Sequence, residues 1–187
     1  MKYRTIVADP PWPYDGGFWT TSHNARTGAT WDAKRKPLPY KPMSITEIAA
    51  IPVSDLAEDD AFLFLWTTSR YLPASFDIAR YWGFAYRQML VWSKSKDHCL
   101  PATVAPIHAE FLLVCKRGSP SRQGTFPSSV IEANRTKTHS AKPEAFLDYI
   151  EQACPGPYLE MFARRARFGW DYWGDESLGT AELREVS

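Results

Sequence analysis

The 187-residue chain has only three cysteines, Cys99, Cys115 and Cys154, odd in number and never closely spaced. That excludes a disulfide framework and fits a reducing compartment, with Cys115 and Cys154 read as packing residues. No metal is expected either, because His98, Cys99, His108 and Cys115 lack any C-x-x-C or H-x-x-x-H spacing. No apolar run approaches the ~20 residues of a membrane span. Met1 leads directly into a strand, without the basic and apolar regions of a secretory signal. A cytoplasmic protein is the expectation. A net charge of +1 gives no global attraction to polyanions. No glycine-rich G-x-G loop stands near a strand end, so the commonest nucleotide-binding signature is missing.

Rings and locally gathered charge are what the chain does have. Eight Trp, nine Tyr and ten Phe exceed what a core of this size requires. From 20 to 42, Arg26, Lys34, Arg35, Lys36 and Lys41 face a single acid, Asp32. From 116 to 142, Lys116, Arg117, Arg122, Arg135, Lys137 and Lys142 face only Glu132. Both stretches read as loops, and a basic rim for a nucleic acid competes with ordinary solvated loops.

Apolar runs with strand character recur at 3–8, 61–66, 86–92, 109–115, 128–133, 158–163 and 168–173. Between them, Ser44 and Glu47 form a capping box. A helical pattern from Leu72 to Trp82 ends at Gly83, and Pro143 opens another that stops at Pro155-Gly156. The alternation predicts an α/β domain of seven strands, mostly parallel, with an antiparallel edge strand near 86–115. One domain over 1–176 and a short polar tail over 177–187 are expected.

The first strand ends in Asp9-Pro10-Pro11-Trp12. In an open α/β sheet, ligands gather outside the carboxyl ends of the strands. Two prolines remove two donors and restrict the backbone, so this loop offers acceptors and an aromatic face. Such a site suits an exocyclic amino group on a flat heterocycle, with Trp12 available for stacking. A strand end whose aspartate caps a stiff turn is the competing reading, and four residues alone do not separate the two.

The motif Asp9–Trp12 resembles the signature of the MT-A70 family of adenine-N6 methyltransferases, and the resemblance continues in order along the chain. It takes in "MSITEI" at 43–48, "FLFLWTTSRYL" at 62–72, "WGFAYRQMLVWSK" at 82–94, "HAEFLLVCKRG" at 108–118, "HSAKPEAF" at 139–146 and "YLEMFARRARFGWDYWGDE" at 158–176. The resemblance implies a Rossmann-like class I methyltransferase with permuted motif order, which takes its methyl group from S-adenosylmethionine. Asp9 and Pro10 would hold an adenine amino group, Pro11 would shape the loop, and Trp12 would stack on a flipped base. Ala8, Asp9, Lys142, Glu160, Arg164, Asp175 and Glu176 would line the cofactor site, with the last two suited to accept from a ribose diol. The implied partner is nucleic acid, DNA before RNA, in a bacterial or phage-infected cell, with a homodimer left open.

The long polar stretch 13–42 and the loop 117–139 are expected to fold over the target, with Trp31 or Tyr40, Lys34, Arg35, Lys36 and Arg135 as contacts. Arg167 is set between an anion contact and a solvated surface. The segment His108-Ala109-Glu110 is set between orienting the first loop and packing. Trp66, Trp82, Trp92, Trp170 and Trp173 are assigned to the core. Two rivals remain: methylation of another planar amide or amine, and a non-catalytic nucleic-acid-binding subunit. Related loops for amides usually open with Asn, and a subunit without activity has no reason to keep Asp9.

Overall fold

The computed structural model describes residues 1–14, 41–94, 104–105, 107–134, 142–163 and 166–173. Along the chain come β1 (Tyr3–Ala8), α1 (Ile45–Ala49), α2 (Val53–Leu56), β2 (Ala57–Thr67), α3 (Leu72–Tyr81) and β3 (Ala85–Ser93). After them come β4 (Ala109–Arg117), β5 (Val130–Glu132), α4 (Glu144–Ala153), β6 (Tyr158–Met161) and β7 (Trp170–Trp173). All seven expected strands form one sheet in the order β5-β3-β4-β2-β1-β6-β7. No described helix is long and apolar enough to cross a membrane.

β1 pairs in parallel with β2 and β6, β6 with β7, and β3 with β5, whereas β4 runs antiparallel to both β2 and β3. The expected antiparallel edge strand is therefore corrected: the reversed strand lies inside the sheet. After β2, the chain crosses over through α3 and sets β3 parallel to β2 but one place away. β4 fills that gap, and both of its edges are hydrogen-bonded. Its reversal also brings its first residues to the edge where the other strands end.

Strands covered on both faces read as nearly continuous apolar runs, as "FLFLW" does. One face carries Ile6, Ala8, Leu63, Leu65 and Leu113 under Ile48 of α1, Val53 of α2 and Ile78 of α3. The other carries Val7, Phe64, Trp66, Leu90, Trp92 and Leu112 under Phe146 and Ile150 of α4. The capping box holds, with the Glu47 N–H donating to Ser44 Oγ at 3.1 Å and the Ser44 N–H to Glu47 Oε2 at 2.7 Å. α3 stops at Gly83, whose φ of +84° suits a residue without a Cβ. Pro143 is the N-cap of α4 and Glu144 its first helical residue.

At the far end of β4, Gly118 has φ +60° and packs against β2: a Cβ there would meet Asp60 Oδ1 at 2.2 Å and the Asp59 carbonyl at 2.4 Å. Gly118→Ala is expected to lower Tm by roughly 3–10 °C, through left-handed strain and a backbone clash together. Thermal unfolding followed by circular dichroism checks this, and an unchanged midpoint contradicts it.

Candidate active site

Side chains alternate along a strand, and this rule assembles the site. Asp9 is two residues beyond Val7, so its carboxylate rises on the α4 face at the carboxyl end of β1. Lys94, two beyond Trp92, follows β3 on the same face. Glu110, two before Leu112, opens β4 there because β4 is reversed. Lys142 stands just ahead of α4.

These four side chains form a chain of alternating charge. Lys142 Nζ donates to Asp9 Oδ2 at 2.7 Å and lies 3.2 Å from Glu110 Oε2. Glu110 Oε1 in turn accepts from Lys94 Nζ. Their side chains are only 6% (Lys94), 17% (Glu110), 17% (Lys142) and 19% (Asp9) exposed. Charges this poorly hydrated require partners, and each one has them. Burial pulls the Lys142 ammonium toward its neutral form, but the Asp9 and Glu110 carboxylates outweigh it and hold the pKa above the ordinary lysine range. Burial likewise opposes the Glu110 carboxylate, and Lys142 and Lys94 reverse it to below the ordinary range. The floor is aromatic: Lys142 Nζ lies 5.4 Å from the Trp66 ring centre and Lys94 Nζ 4.8 Å from that of Trp92.

A second set of contacts fixes the loop that carries Asp9. The Asp9 N–H donates to the Met161 carbonyl of β6, and the Trp12 N–H turns back to the Pro10 carbonyl at 2.8 Å. Met43, just before α1, donates its N–H to the Pro11 carbonyl at 2.9 Å. The exposed ring expected at Trp12 is corrected here. Trp12 is 3% exposed, stacks on Tyr71 at 5.2 Å and 10°, and donates its indole N–H to the Trp66 carbonyl at 3.2 Å. A flat apolar ring beside the apolar end of β2 gains more from burial than from solvent. Trp12 therefore secures the loop, with one face of its ring taken by Tyr71. Tyr71 completes the clamp by donating its hydroxyl to the Pro13 carbonyl and receiving the edge of Tyr14. Tyr71 was not anticipated, although its place straight after β2 in "TTSRYL" puts it at the correct edge.

The remaining sequence candidates divide. Ala8 is 0% exposed, packed in the core at the end of β1. Glu160 is half-buried on β6, paired with Val7 and so on the same face as Asp9. Arg164, Asp175, Glu176, Trp31, Lys34, Arg35, Lys36 and Arg135 lie outside the described residues, as do Tyr40, residues 15–40 of the first loop expected to cover the target and residues 135–139 of the second. The basic rim over 116–142 is corrected in part. Lys116 and Arg117 end the reversed strand at the opposite edge of the sheet from Asp9, and Lys142 is already neutralised. Arg122 is in the same position as that pair, since its neighbour Gln123 donates to the Ala153 carbonyl at the end of α4.

Arg167 resolves as a structural pin, bonded to Glu151, Asp148 and Glu144 along one face of α4. Hydrogen bonding to Glu151, against the cost of burial, raises its pKa. Burial pushes the Cys115 and Cys154 thiols up to about 12, as packing residues require. Lys94 was missed because a lysine just past a strand looks like an ordinary solvated end.

The seven-stranded α/β sheet, with a crevice where the chain turns from β1 toward β2 on one side and from β6 toward β7 on the other, is that of a Rossmann-like methyltransferase. The chain belongs to the MT-A70 family, whose sequence model matches residues 3–176. It is 32% identical over 183 residues to the Type II methyltransferase M.MunI of Mycoplasma sp, covering 94% of this chain and 78% of that one. It is 26% identical over 172 residues to the human N(6)-adenosine-methyltransferase catalytic subunit METTL3, covering 87% of this chain and 26% of the relative. The match to the N6-methyladenosine RNA methyltransferase MTA1 of Pyricularia oryzae is 28% over 199 residues, or 95% and 47%. The chain thus spans a quarter to a half of those last two proteins.

Removing the Tyr71 hydroxyl and removing its ring should differ. Tyr71→Phe keeps the stack on Trp12 and is expected to cost about 1 kcal/mol. Tyr71→Ala unseats Trp12 and Tyr14 and should cost about 3–5 kcal/mol. Urea unfolding read by tryptophan fluorescence measures both, and equal losses would contradict the clamp. A pH dependence follows from Glu110: its depressed pKa contributes stability that is complete above the ordinary glutamate range and drains as pH falls through that depressed value. Glu110→Gln should flatten this acid limb in unfolding curves taken at successive pH values.

Proposed function

We propose that this protein transfers a methyl group from S-adenosylmethionine to the N6 amino group of adenine in DNA. The observation that carries this reading is the Asp9 carboxylate at the carboxyl end of β1, little exposed and bonded by Lys142, in a loop whose next residue, Pro10, has its carbonyl fixed by the Trp12 N–H. Family membership and the relatives' names for N6-adenine chemistry support the reaction class. The likeness to a Type II methyltransferase over most of both chains favours DNA. RNA is the second reading, favoured by the RNA methyltransferase that matches across 95% of this chain.

The adenine amino nitrogen is a weak nucleophile, because its lone pair is conjugated into the ring. Bonding to carbon leaves positive charge on it and makes it pyramidal. Asp9 accepts one of its hydrogens and Pro10 the other, so both stabilise charge that grows only along the reaction. The Pro10 carbonyl already accepts from Trp12 and keeps a second lone pair for this purpose. The surplus proton leaves afterwards to Asp9 or to water.

The residues present suit the cofactor. A molecule with a sulfonium, an ammonium and a carboxylate needs groups of both signs, and Asp9, Glu110 and Lys142 supply them at the crevice of the sheet. Bound there, S-adenosylmethionine supplies a methyl group electrophilic enough for such a nitrogen. Lys142, Glu160, Arg164, Asp175 and Glu176 are assigned to line the cofactor site, with Lys142 keeping its carboxylate partners.

Labelled S-adenosylmethionine offered with DNA, RNA and peptide tests the reading. Wild type should label adenine in DNA, and Asp9→Ala should reduce kcat by about 100- to 1,000-fold. Absence of label in any adenine defeats the proposal, and label confined to RNA selects the second reading. Replacing Lys34, Arg35 and Lys36 together should weaken DNA binding and flatten its salt dependence, with cofactor binding unaltered.

A further inference from the structure

Lys142 presents a difficulty for the proposed reaction. Its ammonium occupies Asp9 Oδ2, the carboxylate that must accept from the substrate amino group. An acceptor engaged by a buried ammonium is a poor partner for a nitrogen becoming positive. The two cations would compete for it.

The same ammonium lies 3.2 Å from Glu110 Oε2, and the other oxygen of that carboxylate is bonded to Lys94. We propose that Glu110, fixed by Lys94, is a second seat for the Lys142 ammonium, which turns toward Glu110 when the substrate amino group takes Asp9. Lys142 stays protonated throughout, and no bond other than hydrogen bonds changes. Glu110 and Lys94 are positioning residues for the methyl transfer, and the inference rests on that reaction.

Three features support this. Glu110 comes from the one reversed strand, so a rigid interior element carries the seat. Lys94 is the most buried of the four charges and bonds the oxygen that Lys142 does not use. The Trp66 ring beneath Lys142 allows the ammonium to slide between its two carboxylates while keeping a cation–π contact. Among the described residues, the charged groups facing Lys142 are Asp9 beyond β1 and Glu110 on β4, with Lys94 beyond β3 behind Glu110.

The test is steady-state methyl transfer to adenine-containing DNA by Glu110→Gln, Glu110→Asp, Lys94→Met and Lys94→Arg. Glu110→Gln should reduce kcat roughly 10- to 100-fold, as loss of one charge-assisted hydrogen bond implies, with KM for DNA little changed. Lys94→Met should act in the same direction, and Glu110→Asp and Lys94→Arg should recover part of the loss. Unchanged kcat in Glu110→Gln overturns the proposal. So does an equal loss in the Gln and Asp variants with kcat and KM for DNA changed together, which marks a purely structural carboxylate. If wild type transfers no methyl group, the parent reading fails, and the seat is then read without activity. Thermal midpoints of Lys142→Met, Glu110→Gln and their double variant should be non-additive, and additive shifts overturn it.

Discussion

A single buried ammonium shared by two carboxylates holds together parts of the chain that lie far apart. Lys142 joins Asp9, 133 residues away, to Glu110 on the reversed strand. Each partner would be costly to bury alone, and removal of any one leaves the others uncompensated. The constraint explains why so many elements end at one place. β1 must stop just before Asp9, β3 just before Lys94, and α4 must begin two residues after Lys142. The reversal of β4 is part of the same arrangement: run in parallel, β4 would carry Glu110 to the opposite edge.

The loop after β1 is rigid for a different reason. Prolines restrict it from within, but its position comes from Trp12 and Tyr71, one supplied by the loop and the other by the turn after β2. Ser75 of α3 bonds Thr67 Oγ1 at 2.6 Å and the Tyr71 carbonyl at 2.8 Å, so the clamp is tied to the sheet through buried hydroxyls. A carboxylate held by electrostatics on one side and by packed rings on the other loses little entropy when a ligand arrives, which is the condition for useful preorganisation.

Much of this was legible in the residues, and the failures share a cause. Strand existence followed from apolar runs such as "TIVA" and "FLLVC", and three helices from the capping box, Gly83 and the Pro143–Pro155 interval. Asp9 and Lys142 stood out by motif. Periodicity reports which residues turn inward but not which strand lies beside which, so the place of β4 was misjudged and Glu110 stayed ambiguous. Trp12 failed for a related reason. A ring beside two prolines resembles a ligand platform until its neighbour is known, and that neighbour, Tyr71, lies 59 residues on. Lys116, Arg117 and Arg122 were grouped with Lys142 by sequence distance, although the reversed strand carries them to the other edge of the sheet.

That separation bears on how a polyanion would approach. The charges of Asp9, Lys142, Glu110 and Lys94 cancel, so together they supply little field to attract phosphates. Charge that is paired and buried sets local chemistry, whereas charge that is loose and solvated sets long-range attraction, and one residue rarely serves both. Attraction at the carboxyl edge must therefore come from residues other than the site itself, and the stretch 20–42, with five basic residues against Asp32, has the composition for it. On the proposed function, substrate capture and amino-group activation would rest on different segments. Changes in the former should register in salt dependence, and changes in the latter in turnover.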